Sequence, residues 1–292
     1  MDISSCELYL FMRNIHYYEE GLYDIIEGYV RYKFKSNKEL KDAVEIWCKD
    51  KNKCLKLYGH ISLWNVSMII NMSCIFDSCF EFNEDISSWD VSNVKFMSNM
   101  FFWCCNFNQD ISGWDVSNVK DMEGLFSYCQ KFNQDISKWD VSKVKDMTDM
   151  FYECCEFNKE ISEWDVSNVK DLRNIFYGCK KFNQDISKWG VGNVKVMEGM
   201  FMGCEKFNQP LDKWDVSKVK DITDMFYECR AFNQDISKWD VSNVKIMSHL
   251  FYKCKSFNQD LSKWIPKLHN EKDKIYILKI SNNYNLNNLK LI

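Results

Sequence analysis

Written as apolar and polar letters, most of the chain spells one pattern repeatedly. Phe stands at 82, 107, 132, 157, 182, 207, 232 and 257, and a second Phe at 76, 101, 126, 151, 176, 201, 226 and 251, every step being 25 residues. Trp keeps the same interval from Trp64 through Trp89 and Trp114 to Trp264. Between them run columns of Ile or Leu (Ile86, Ile111, Leu211, Leu261), of Val (Val91, Val94) and of Met, Leu or Ile (Met97, Met100, Leu172, Ile222). A period of this size, held without insertion, is the signature of a solenoid, in which each unit buries its apolar side only against its neighbours. The pattern divides the chain into residues 1–56, an N-terminal segment and helical cap; residues 57–264, one degenerate and eight full repeats; and residues 265–292, a C-terminal cap and tail.

Within a unit, Asp-Ile-Ser-x-Trp-Asp has the β-branched and aromatic content of a short strand, and Asn-Val-Lys-Asp-Met reads as a second. Met97, Met100, Phe101 and Cys104 have helical spacing, which predicts one helical or 3₁₀ turn per rung. Rungs stacked at about 4.8 Å would make a body roughly 40 Å long. The flanks differ. Tyr29 to Lys35 alternates like a half-buried strand, and Ser36-Asn-Lys-Glu39 has capping-box spacing ahead of Leu40, Ala43, Val44 and Trp47, an amphipathic helix. Ile265-Pro266 ends the pattern, Lys274 to Ile280 reads as a closing strand, and the Asn-rich tail from Ser281 is expected to fray. The rest of residues 1–35 yields no firm element.

The unit WDVSNVKDM…F..C..FNQDIS resembles the 25-residue repeat of the BspA-like leucine-rich-repeat family, found in surface lipoproteins of mycoplasmas and other bacteria and in proteins of large DNA viruses. The stretch from Lys38 to Trp47 and Tyr58-Gly-His-Ile-Ser62 also resembles the lead-in to such arrays, so the likeness spans about residues 36–264. It implies a leucine-rich-repeat-like right-handed β/α solenoid and, in bacterial members, adhesion or binding to other proteins. Two departures stand out: Cys replaces the Ala of many copies, and no signal peptide or lipobox is present.

Charge and composition narrow the partners. With 38 basic and 42 acidic side chains the chain has a net charge of −4, no excess of positive charge for a polyanion, so nucleic acid is not favoured. No apolar run is long enough to span a bilayer. The start Met-Asp-Ile-Ser-Ser-Cys has no secretory pattern, and 14 cysteines in such a chain then imply free thiols and an intracellular setting, with virion or surface association as the alternative.

Lines of like residues are the candidate chemistry. The Cys column (Cys79, Cys104 and onward to Cys254) reads as small buried hydrophobes instead of a zinc ladder, because the only adjacent pairs, Cys104-Cys105 and Cys154-Cys155, chelate poorly. The Asn column from Asn83 to Asn258 predicts a buried amide ladder, and the Asp after each Trp (Asp90, Asp115, Asp140) predicts an Asx turn. The Trp column is expected to be buried. Lys95, Lys120, Lys145, Lys170, Lys195, Lys220 and Lys245 form the sharpest binding candidate, since like charges at rung spacing repel unless Asp121, Asp146, Asp171 and Asp221 or a bound anion offset them. One rung is irregular, with Gly190, Gly192, Val196 and Pro210 at otherwise Asp, Ser, Asp and Asp positions, which is consistent with a bend, a contact site or, equally, sequence drift.

No nucleophile motif or phosphate cradle appears and only four His occur, so the sequence favours a protein that is not an enzyme and needs no cofactor or metal. The expected function is a protein–protein interaction scaffold, binding through its variable positions: Phe102-Trp103, Tyr128, Tyr152, Arg173, Met202, Arg230 and His249. The alternative is a structural protein that associates with copies of itself.

Overall fold

The computed structural model describes residues 31–281, so most of the N-terminal segment and the tail beyond Ser281 lie outside the described residues. The body is a stack of 25-residue rungs in which columns of the sequence become columns in space. Each rung contributes a Phe pair stacked face to face, as Phe101 on Phe107 at 4.1 Å and Phe151 on Phe157 at 4.1 Å between ring centroids. The pairs then stack rung on rung, with Phe101 to Phe126 at 5.7 Å and Phe107 to Phe132 at 6.0 Å. Trp, Val, Ile and Met columns fill the remaining interior and are buried along the whole array. No rung owns a closed core; apolar surface leaves water only when the next rung is laid down, which is why the period tolerates no insertion.

The predicted strands are the main correction. Asp-Ile-Ser-x-Trp-Asp is a turn, and Asn-Val-Lys-Asp-Met contributes single parallel bridges, such as Phe96 with Asp121 and Asp121 with Asp146. The structure therefore supports a repeat solenoid, with β-pairing reduced to one residue per rung in place of strands. The expected helical turn is also different. From Met97 to Cys104 the chain runs through overlapping four-residue turns, Met100 N–H to Met97 O, Phe102 to Asn99 and Cys104 to Phe101. The alternate amides of Met97, Asn99, Phe101 and Trp103 point along the stack to the carbonyls of Asp121, Glu123, Leu125 and Ser127. Such alternation requires left-handed residues, and Asn99 (φ 56°) and Trp103 (φ 61°) supply them. The column containing Asn99 reads Cys74, Asn99, Gly124, Asp149, Asn174, Gly199, Asp224, His249, and all but Cys74 are residue types that tolerate this region. A methyl group on Gly124 would lie 2.2 Å from Asn99 Oδ1, so the Asn of one rung occupies space the Gly of the next leaves open.

Side chains complete the seams between rungs. Each indole from Trp89 to Trp264 donates its Nε1–H to a carbonyl 28 residues earlier, as Trp164 to Ile136 O at 3.2 Å. Cysteine thiols do the same to the Phe carbonyls, as Cys129 to Phe101 O at 3.0 Å. Asn108 Oδ1 accepts from Asn133 N at 2.9 Å and from Gln134 Nε2 at 2.9 Å, and the motif continues to Asn258. The amide ladder forms as expected but at the rim: its members are half-buried or exposed instead of fully enclosed.

Two helices close the N-terminal end. Helix α1 (Asn37–Lys49) is capped by Ser36, whose Oγ accepts from Glu39 N at 3.2 Å, while Glu39 reaches back to Lys35 N at 2.8 Å. Its Leu40, Ala43, Val44 and Trp47 are buried, the stripe the sequence predicts. Helix α2 (Lys51–Tyr58) starts at the Asp50 cap and ends at Gly59. The strand expected at Tyr29 to Lys35 is, where described, a single parallel bridge of Lys33 to Asn65 that starts the ladder.

The closing strand at Lys274 to Ile280 is instead helix α3 (Glu271–Ser281), which follows a 3₁₀ segment Ser262–Lys267. Only Ile277 and Ile280 of α3 are buried, while Ile275 and Leu278 face out, so its apolar run serves a helix that covers the last rung with one side. Tyr276 makes the closure chemical. Earlier Phe amides bond a carbonyl of the following rung, as Phe226 to Leu250 O, whereas Phe251 N–H donates to the Tyr276 hydroxyl at 2.9 Å. Among the described residues no helix is long and apolar enough to cross a membrane.

Candidate functional site

The columns fall into two groups. Trp64 to Trp264 are at most 4% exposed, so the indoles are core and offer no aromatic strip to a partner. Cys104 to Cys254 are buried as well, and burial pushes the Cys129, Cys154 and Cys179 thiols well above their ordinary value. These columns hold the stack together and present nothing to solvent.

The Asp residues that follow Trp make the expected Asx turns, Asp115 Oδ1 accepting from Ser117 N and Asp140 Oδ1 from Ser142 N at 3.0 Å each. The Asp before Ile does likewise, as Asp110 with Ser112, and so do Asp121, Asp146, Asp171 and Asp221. These last four were expected to offset the Lys column. Their carboxylates bond their own backbone, and all seven lysines are exposed with no ion pair among the described residues. What ties that column together is main chain: Lys120 N donates to Lys95 O at 2.9 Å and Lys220 N to Lys195 O at 2.8 Å.

Ion pairs lie elsewhere and link neighbouring rungs. Lys181 pairs with Glu156, Lys188 with Glu163, Arg230 with Glu205 at 3.2 Å and Lys253 with Glu228 at 2.5 Å. Arg173 sits between Asp171 at 3.1 Å and Glu198 at 3.4 Å. All are partly exposed, so each adds little to stability and serves mainly to fix side-chain positions. The two arginines proposed for partner contact are thus held by acids of their own chain.

A second aromatic line lies on the outside of the turn segment. Phe80, 48% exposed, meets the edge of Trp103, 39% exposed, at 5.8 Å. Trp103 packs on Tyr128 at 4.7 Å, Tyr128 on Tyr152 at 5.2 Å, and Tyr152 stacks on Tyr177 at 4.3 Å. Met202 takes the next place, after which Tyr227 meets Tyr252 at 5.0 Å, with the Lys253 ammonium 5.6 and 5.4 Å from their centroids. Beyond it, His249 Nδ1 lies 3.2 Å from Asp224 Oδ1. The sequence pointed to Phe102, Trp103, Tyr128 and Tyr152 only as positions that vary; it missed that Tyr177, Tyr227 and Tyr252 extend them into one line. The signal was available, because Phe102, Tyr152, Tyr177, Tyr227 and Tyr252 share one place in the period.

The irregular rung keeps register. Val196 bridges Asp171 on one side and Asp221 on the other, so the pairing continues through this rung without a slip.

A family model described as Mycoplasma protein of unknown function, DUF285, matches residues 45–164 and again residues 150–264. No curated protein and no solved structure matches the chain.

Proposed function

The chain belongs to the DUF285 family, and on that footing we propose that it is a non-enzymatic scaffold whose solenoid binds another protein along the outer aromatic line. The observation that carries the reading is that line itself: half-exposed aromatic rings in contact from Phe80 to Tyr177 and again at Tyr227 and Tyr252. Tyr and Trp give large contact area at low entropy cost, with a polar atom left for hydrogen bonding, and are enriched where proteins meet. Ring-to-ring packing pre-orders the surface, which lowers the cost of association. Arg173 and Arg230, already oriented by their acids, and the exposed Lys column would add charge selectivity. The resemblance of the repeat unit to that of BspA-like leucine-rich-repeat proteins points the same way.

Self-association end to end is disfavoured by helices α1 and α2 at one end and α3 at the other, which occupy the faces a further rung would need. The test is cross-linking mass spectrometry in native lysate with the wild type and a Trp103→Ala, Tyr152→Ala, Tyr177→Ala variant, alongside light scattering. Cross-links to a foreign protein that map to the line and vanish in the variant are expected. An unchanged capture profile, or cross-links only between copies with a multimeric mass, would refute the reading.

A further inference from the structure

We propose that Cys48 and Cys79 form a dithiol–disulfide site, at which a low-molecular-weight disulfide of the glutathione class cross-links the helical cap to the first full rung. Cys48 is on the last turn of α1 and exposed; Cys79 opens the Cys column and is half-buried. Their sulfur atoms lie 2.6 Å apart although 31 residues separate them in sequence. Nothing else in the described chain brings two thiols so close.

The place of Cys79 in the column explains the pairing. From Cys104 onward each thiol of the column is buried and donates to the carbonyl 28 residues earlier, as Cys104 to Phe76 O at 3.1 Å. Counting back 28 from Cys79 gives Lys51, the first residue of α2, so no preceding rung offers it a Phe carbonyl. The cap stands where that rung would be, and α1 presents a sulfur instead of an oxygen. The cysteine that begins the column is therefore the one whose thiol is turned outward.

The two thiols are also unlike. The hydrogen bond the two thiols share holds Cys48 below its ordinary value, and the same contact together with burial pushes Cys79 up. Cys48 is then the attacking group, since the thiolate is the nucleophile in exchange. Its sulfur attacks one sulfur of the small disulfide, giving a mixed disulfide at Cys48 and releasing one small thiol. Cys79, deprotonated as it attacks, then forms a bond to Cys48 sulfur and expels the second. Two protein thiols are oxidised, one small disulfide is reduced to two thiols, and the two protons leave with those products. The bridge closes a loop holding α2 and the degenerate repeat, the segment that ties cap to stack.

The experiment uses the full chain incubated with excess glutathione disulfide, alkylated and mapped without reduction. The expected result is one intramolecular cross-link between the Cys48 and Cys79 peptides, with the buried column thiols unmodified. Oxidation should raise the thermal midpoint by about 5 °C, as closure of a loop of this length does, and Cys48→Ser should abolish both the cross-link and the rise. Full alkylation at both cysteines, a glutathione adduct that stops at Cys48, or pairing of Cys79 with any other cysteine would overturn the proposal.

Discussion

Phe151 and Tyr152 are neighbours in sequence and opposites in the stack, and truncating each to Ala separates core from surface. Phe151 is fully buried, with Phe157 at 4.1 Å, Phe126 at 5.7 Å, Phe176 at 5.8 Å and Trp164 at 6.2 Å around it. Burial of a Phe side chain removes roughly 150–200 Å² from water, which at ~25 cal/mol per Å² is about 4 kcal/mol. Phe→Ala substitutions in closed cores cost about 3–5 kcal/mol, and the backbone here cannot collapse into the gap because its amides are committed to the rungs on either side. Tyr152 loses a half-exposed ring with its stack on Tyr177 at 4.3 Å and its tilted contact with Tyr128 at 5.2 Å, about 1 kcal/mol. A linear array adds a second effect: a weak seam in the middle lets the two halves unfold apart, so the urea slope of Phe151→Ala should fall as its midpoint does. Urea titration followed by tryptophan fluorescence reads both. Equal costs for the two variants, or a Phe151→Ala cost under about 1 kcal/mol, would refute the claim that the Phe columns hold the rungs together.

Tyr276→Phe should cost about 1–2 kcal/mol by leaving the Phe251 amide without its acceptor, and amide exchange should quicken at Phe251 while Phe126 and Phe151 stay protected. In acid the stack should weaken through its Asx turns. Bonds from the Ser117, Ser142 and Ser217 hydroxyls, then from their amides, hold Asp115, Asp140 and Asp215 below the ordinary carboxylate value. A folded value below the unfolded one adds stability that is full above about pH 4 and is lost as pH falls through the folded values. Asp115→Asn, Asp140→Asn and Asp215→Asn together should keep the acceptors and flatten the pH dependence of the thermal midpoint below about pH 4; an unchanged slope would show that these turns do not carry it.

The period and the burial of Trp, Phe and, from Cys104 onward, the Cys column were legible because a stack turns sequence columns into spatial ones. Strand content was not. Ile111 and Trp114 look like strand residues, yet Trp114 N–H bonds Ile111 O, and a turn buries the same letters. Residue types in the Asn99 column encoded left-handed backbone, a signal hidden among surface polar positions. Lys274 to Ile280 misled because β-branched residues also suit a helix packed on one side, where Ile277 and Ile280 face the core. The Lys column could not be weighed from sequence, since whether Asp121 or Asp146 would reach a lysine or its own backbone depends on turn geometry.

The Tyr276 hydroxyl has a bearing on how such a protein can change over generations. By imitating a carbonyl it makes the last rung chemically indistinguishable, at that amide, from an interior one. A gene duplication that inserts one whole unit between two existing rungs meets the same donors and acceptors on both sides and leaves both caps intact. An insertion of any other length misaligns every column at once. Lengthening by internal recombination in whole units is therefore the cheap route to a longer binding face, and loss of a unit is equally tolerated.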